Sequence, residues 1–138
     1  MSPGYHLAPM AKILIADDDP TIIHLLTVNL EMEDYEVVVA QDGLQAVTMA
    51  NQDPPDLIIL DIMMPNMDGW AARDELLKSP TLADIPVIFL SARAQQADLR
   101  RGLEAGAAEY ITKPFDPVDL LKIIEEVLAG TYKRQDSE

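Results

Sequence analysis

The sequence predicts one α/β domain, a doubly wound five-stranded parallel sheet with helices on both faces. Three observations carry this. Five short apolar runs recur along 138 residues. Each is followed by a segment with apolar residues at helical spacing, an alternation that implies parallel strands joined by crossover helices. The central run, Leu57-Ile58-Ile59-Leu60, is apolar without alternation, the pattern of a strand buried on both faces.

Met1 to Met10 has two prolines, a glycine and no periodicity, and reads as a flexible leader. Lys12 to Ala16 is the first strand. Asp17-Asp18-Asp19-Pro20 follows, then Ile22, Ile23, Leu25, Leu26 and Leu30 at helical spacing. Asp19 is the natural N-cap and Pro20 the first helical residue. Glu36 to Ala40 is the second strand, and Gln41-Asp42-Gly43 turns into a helix carrying Leu44, Ala46, Val47 and Ala50. Asp53-Pro54-Pro55 ends that helix, and Leu57 to Leu60 is the third strand, with Asp61 at its carboxyl end and Pro65 breaking the loop. A third helix is expected from Met67 to Leu77. Ile85-Pro86 starts the fourth strand, because a residue before proline prefers extended geometry; Val87 to Leu90 run to Ser91. Ala94 to Glu104 is the fourth helix, with Gly106 placed to end it. Glu109 to Thr112 is a weak fifth strand ending at Lys113-Pro114. Asp116-Pro117 repeats the cap-then-proline start, and Leu120, Leu121, Ile123, Ile124, Val127 and Leu128 make an apolar stripe on the last helix. The domain is thus expected over 11–130, followed by a polar tail from Thr131 to Glu138.

Composition bounds the function. A net charge of −14 and the absence of broad basic patches argue against direct nucleic-acid binding. With no cysteine, a disulfide framework and a thiolate metal site are excluded. No run approaches the roughly 20 apolar residues of a membrane helix, and the first apolar run meets three acids, unlike a secretory signal. A cytoplasmic protein is the expectation.

Every strand of a parallel sheet points the same way, so its carboxyl ends share one rim, the edge where open α/β sheets bind ligands. Asp17 and Asp18 end strand one, Asp61 strand three, Ser91 strand four and Lys113 strand five. Asp61 alone is compatible with a nucleophile, a metal ligand or a loop acid. Three carboxylates at one rim repel one another and stay ionised around a divalent cation. An all-oxygen donor set selects a hard ion such as Mg²⁺. Lys113 supplies a mobile point charge for a carboxylate or phosphoryl oxygen, and Ser91 one hydroxyl donor. Acids, a metal and a lysine around an open rim suggest phosphoryl transfer, for which a carboxylate is a competent nucleophile.

Five motifs stand in order: ILIADDDP (13–20), LIILDIMMPNMDG (57–69), PVIFLSA (86–92), GLEAGA (102–107) and YITKPFDP (110–117). Together they resemble the receiver domain of bacterial two-component response regulators, including the chemotaxis receivers, over roughly Ala11 to Gly130. The resemblance implies the flavodoxin-like strand order 2-1-3-4-5. It implies that Asp61 accepts a phosphoryl group from a phosphohistidine on a sensor histidine kinase or phosphotransfer protein. Asp18 would bind Mg²⁺ (or Mn²⁺) directly, Asp17 mainly through water, and Met63 through its backbone carbonyl. Lys113 would pair with Asp61 and then with the phosphoryl group; Ser91 would move toward that group, and Tyr110 would be the aromatic switch that reorients with it. The Lys113-Pro114 bond is often cis in such domains.

The same resemblance makes the second residue after the phosphorylated Asp, and the second after the hydroxyl residue, tuners of dephosphorylation. Here they are Met63 and Arg93. Met63 cannot orient a water by hydrogen bonding, so a slow autodephosphorylation is expected. Output would pass through the face of helix four, strand five and helix five, to a target protein or an output domain. Winged-helix regulators dimerise there through charge pairs. Arg100, Glu109 and Asp119 match parts of that set, while Ile123 stands where an arginine is expected, so a homodimer is carried as one outcome.

Each residue also has a plainer reading. Ser91 satisfies its own turn, Lys113 is solvated, Tyr110 packs on the last helix, His24 is structural or on the surface, and Met63, Met64, Met67 and Trp70 are packing. Two other functions compete. A phosphorylation-independent binding module predicts a damaged pocket, and all five rim residues are present. An aspartyl phosphohydrolase commonly places a second acid where Met63 stands.

Overall fold

The computed structural model describes residues 11–133; the expected leader and the end of the expected tail lie outside them. Along the chain run β1 (Lys12–Ala16), α1 (Pro20–Met32), β2 (Glu36–Ala40), α2 (Gly43–Gln52), β3 (Leu57–Asp61), α3 (Gly69–Leu77), β4 (Val87–Ser91), α4 (Gln96–Glu104), β5 (Glu109–Thr112) and α5 (Pro117–Ala129). The five strands form one parallel sheet in the order β2-β1-β3-β4-β5. No helix among the described residues is long and apolar enough to cross a membrane.

The pleat splits the strand residues between two cores. Ile13, Ile15, Leu57, Ile59, Ile88 and Leu90 face α1 and α5, meeting Leu26, Leu30, Leu120 and Ile124. Leu14, Ala16, Ile58, Leu60 and Phe89 face the opposite layer, meeting Ala46, Ala50, Trp70, Ala72 and Leu76. β3 lies between β1 and β4, and all five of its residues are buried. That explains a strand that is apolar on both faces.

Helix starts follow side-chain chemistry. Asp19 and Asp116 cap α1 and α5, each accepting from the second residue of its helix, at Thr21 and Val118, with proline at the first helical position. Gly130 ends α5 in left-handed backbone, φ 78°. Two helices begin two residues later than the sequence suggests. α3 starts at Gly69 because Asp68 caps it, accepting from Ala71 N at 2.8 Å. α4 starts at Gln96 after Gln95, whose side chain makes no capping bond.

Chain order and sheet order diverge between β1 and β3, the switch point of this topology. The loops after these two strands lie side by side at the carboxyl edge.

Candidate functional site

The loop after β1 brings Asp17 and Asp18 to that edge, and β3 ends on Asp61. Carboxylate oxygens of Asp17, Asp18 and Asp61 all lie within 4.8 Å of one another; Asp17 and Asp61 are buried and Asp18 is exposed. Lys113, at the end of β5, reaches in to donate to Asp17 Oδ2 at 2.9 Å and to Asp61 Oδ2 at 3.3 Å. The rim residues singled out in the sequence are therefore together. Lys113 is held between two acids, not solvated, and its bond to Asp17 was not expected. The Lys113–Pro114 peptide is cis.

Backbone donors take further oxygens. Asp17 Oδ1 accepts from Asp19 N at 2.9 Å, and Asp61 Oδ1 accepts from Met63 N at 3.2 Å. Ser91 is fully buried, and its Oγ accepts from Arg93 N at 3.1 Å. The turn role considered for Ser91 is thus real, and it holds the hydroxyl at the rim.

Burial, then the neighbouring charge of Asp17, pushes the Asp61 carboxyl up to about 6, against the pull of Lys113 and the Met63 amide. Burial works against the Lys113 ammonium, but its bond to Asp17 and the charges of Asp17 and Asp61 prevail and raise it above its ordinary value. One ammonium faces three carboxylates, so the rim keeps net negative charge. Oxygen-only donors with that charge deficit fit a hard divalent cation; Asp17, Asp18 and Asp61 are the residues that would hold it.

Tyr110 is buried, but not against the last helix. Its ring lies beside Trp70 and Phe89, with centroids 6.4 and 6.2 Å away, in the core under α3 and α4. Leu120 and Ile124 of α5 belong to the other core. The phenol donates to the Arg93 carbonyl at 2.8 Å. Arg93 also pairs with Asp98 at 2.9 Å, so the loop after β4 ties Ser91, Tyr110 and α4 together. Met63 is 58% exposed and so is not packing, because its loop lies at the open edge of the sheet, where its N–H bonds Asp61; His24 is on the surface.

Two features escaped the sequence reading. Arg73 is buried on α3 and directs Nη2 toward the carbonyls of Ala105 and Gly106 at the end of α4; its position in an amphipathic segment carried no signal. Asp42 is buried and bonds Asn66 at 2.6 Å. An Asp-Gly pair marks a turn in sequence, but nothing local names a partner 24 residues away.

Comparison with known proteins decides the family. The response regulator receiver domain model matches residues 13–125. The chain belongs to this family. Among relatives of the receiver domain, Protein PilH of Pseudomonas aeruginosa is 42% identical over 121 residues, which cover 88% of this chain and 100% of PilH. The DNA-binding dual master transcriptional regulator RpaA of Synechocystis is 43% identical over 122 residues, 88% of this chain and 51% of RpaA. The chain thus spans about half the length of RpaA and all of PilH. Among solved structures, the receiver domain of a Pseudomonas aeruginosa PAO1 sensor histidine kinase, with magnesium coordinated in its active-site cleft, superposes with a TM-score of 0.81. It is 31% identical, over 88% of this chain and 99% of that one.

Proposed function

We propose that the domain is a phosphorylation switch whose phosphoacceptor is Asp61. The observation that carries this is a buried carboxylate at a strand end, paired with Lys113 and sharing its rim with Asp17 and Asp18. An Asp61 oxygen attacks phosphorus of a phosphohistidine on a sensor histidine kinase or phosphotransfer protein in the cytoplasm. A P–O bond forms and the P–N bond breaks, its electron pair staying on the imidazole. Lys113 lies within reach of Asp61 and supplies positive charge to the transferring oxygens, which is where catalysis of this reaction resides. Mg²⁺ or Mn²⁺, held by Asp17, Asp18, Asp61 and the Met63 carbonyl, would supply the remaining charge neutralisation.

Ser91 and Tyr110 then report the event. The Ser91 hydroxyl donates to the new phosphoryl oxygens, releasing Arg93 N, and the loop that also receives the Tyr110 phenol shifts with it. The output face is formed by α4, β5 and α5, where Glu109, Ile111, Phe115, Asp119 and Ile123 line a hollow of about 370 Å³. A target protein, an output domain or a second copy docks there. The domain catalyses its own phosphorylation and, slowly, its own dephosphorylation, in which water takes the phosphoryl group from Asp61 as inorganic phosphate.

The test is intact mass after incubation with a small-molecule phosphodonor and Mg²⁺. One phosphoryl adduct, absent in Asp61→Asn, is expected. A wild-type protein that takes up none would favour a binding module that works without phosphorylation.

A further inference from the structure

Asp42 is buried but is not one of the three rim acids. It caps α2 through Oδ1, which accepts from Gln45 N at 2.7 Å. Capping needs only one oxygen, and serine or asparagine provides it equally well. The second oxygen, Oδ2, accepts from Asn66 Nδ2 at 2.6 Å. The bonds from Gln45 and Asn66 hold this carboxyl below its ordinary range, so it is ionised and both bonds are charge-assisted.

Asn66 lies in the loop between β3 and α3, in left-handed backbone at φ 67°. The next residue is tied at the same place: Gly43 N donates to the Met67 carbonyl at 3.1 Å. The approach is so close that a Cβ on Gly43 would stand 2.1 Å from that oxygen. Two successive loop residues are thus fastened to two successive residues at the start of α2. The end of β2, from which that turn starts, is itself anchored to the acid loop after β1, because Asp17 N donates to the Ala40 carbonyl at 3.2 Å. The end of β2 and the turn after it therefore hold the loops that follow β1 and β3 against one another. Beyond the clamp the β3–α3 loop borders an open cleft of about 320 Å³, lined by Asp18, Gln41, Asp42, Gln45 and Pro65, so the loop has room to swing outward once released.

We propose that the Asp42–Asn66 bond is a positioning clamp for the cation site, fixing the β3–α3 loop so that the Met63 carbonyl stays in register with Asp17, Asp18 and Asp61. The inference rests on the reading of Met63 as a metal ligand given above. Asp42 and Asn66 act through the loop and do not themselves touch the ion.

The experiment measures Mg²⁺ affinity of the full chain by titration calorimetry, with Mn²⁺ as a second probe, for wild type, Asn66→Gly, Asp42→Ser and the double variant. Asn66→Gly keeps the left-handed backbone and removes only the amide. Asp42→Ser keeps the cap on Gln45 and is too short to reach Asn66. Each single variant is expected to bind Mg²⁺ about ten-fold more weakly, the lower end for a supporting contact around a metal, and the double variant no more weakly than the worse single. Thermal midpoints of the same proteins separate this from general loosening, which lowers stability and leaves metal affinity at 25 °C intact. Wild-type affinity in both singles, or losses that multiply in the double, overturns the clamp alone. A wild-type protein that binds neither Mg²⁺ nor Mn²⁺ overturns the metal reading and the clamp together.

Discussion

Lys113 Nζ sits closer to Asp17 than to Asp61, at 2.9 Å against 3.3 Å. The two oxygens it binds belong to the acids that would also hold a cation, so ammonium and metal compete for the same charge. Lys113→Met is therefore expected to tighten Mg²⁺ binding while slowing phosphorylation. A unit charge about 4 Å away is worth about 1 kcal/mol in a water-like surrounding and about 4 at a protein surface. Five-fold tighter binding or more is thus the expected scale, read by calorimetry at pH 8. Weaker Mg²⁺ binding in this variant would mean that Lys113 organises the acids instead of competing for them.

Asp61 gives the pH dependence. Its folded pKa, about 6, lies above the ordinary 3.8, so the folded protein holds this proton more tightly than the unfolded chain does. The contribution to stability is fully present below about pH 4 and is lost as pH rises through about 6. Asp61→Asn, neutral throughout, should then exceed the wild type in chelator-containing buffer at pH 7.5, by roughly 2–3 kcal/mol at about 1.4 kcal/mol per pKa unit. The gap should close toward pH 4. Urea midpoints at several pH values measure it, and a gap independent of pH contradicts the account. Saturating Mg²⁺ should stabilise the wild type, by about 2.7 kcal/mol at a hundred times its dissociation constant, and leave Asp61→Asn nearly unmoved.

What was legible in the sequence was what period and local chemistry encode. Leu57 to Leu60 announce a doubly covered strand, and Asp19-Pro20 and Asp116-Pro117 announce helix starts that the structure has at those residues. The common direction of the strands then brings Asp17, Asp61, Ser91 and Lys113 to one edge without further information. α3 starts two residues past the expected Met67: that residue is apolar at a helical position, yet its carbonyl is bound by Gly43 N and its N–H by the Pro65 carbonyl. Those bonds keep it in the loop, and Asp68 does the capping. Lys113 with Asp17 spans 96 residues, and sequence ranks such partners by charge, not distance. Tyr110 shows the same limit: an aromatic on an edge strand must pack somewhere, and only the fold assigns it to Trp70 and Phe89.

Gly102 offers a test of that packing. A Cβ on this glycine would stand 2.7 Å from Tyr110 Cδ2 and 3.5 Å from Phe89 Cδ2. The first contact is to a ring carbon near its root, so the ring itself must move. Gly102→Ala is expected to destabilise the domain by about 1–3 kcal/mol, the range for overfilled cores, and to displace Tyr110 from its bond to Arg93. The chain has one tryptophan, Trp70, stacked beside this tyrosine, so its emission reads the displacement directly. Combining Gly102→Ala with Tyr110→Ala should remove most of the penalty that Gly102→Ala incurs with the tyrosine present. Equal penalties in both backgrounds would assign the effect to the backbone of α4.

With Asp61 as the proposed phosphoacceptor, Met63 is the residue expected to set the lifetime of the phosphoryl group. The residue is 58% exposed two positions beyond Asp61, its N–H bonded to that carboxylate, and its thioether has no proton to donate and is only a weak acceptor. Hydrolysis of an aspartyl phosphate requires a water aimed at phosphorus, and a polar side chain here would aim it. Met63→Asn is expected to shorten the phosphoryl lifetime by about ten-fold, a modest share of what positioning contributes to phosphoryl transfer. Mg²⁺ affinity should stay close to wild type, because the ligand assigned at this position is the backbone carbonyl. The decay of the phosphoryl adduct, followed by intact mass after removing the donor, gives the rate. An unchanged lifetime together with unchanged metal binding would place control of the water elsewhere, with Arg93 the next side chain to substitute.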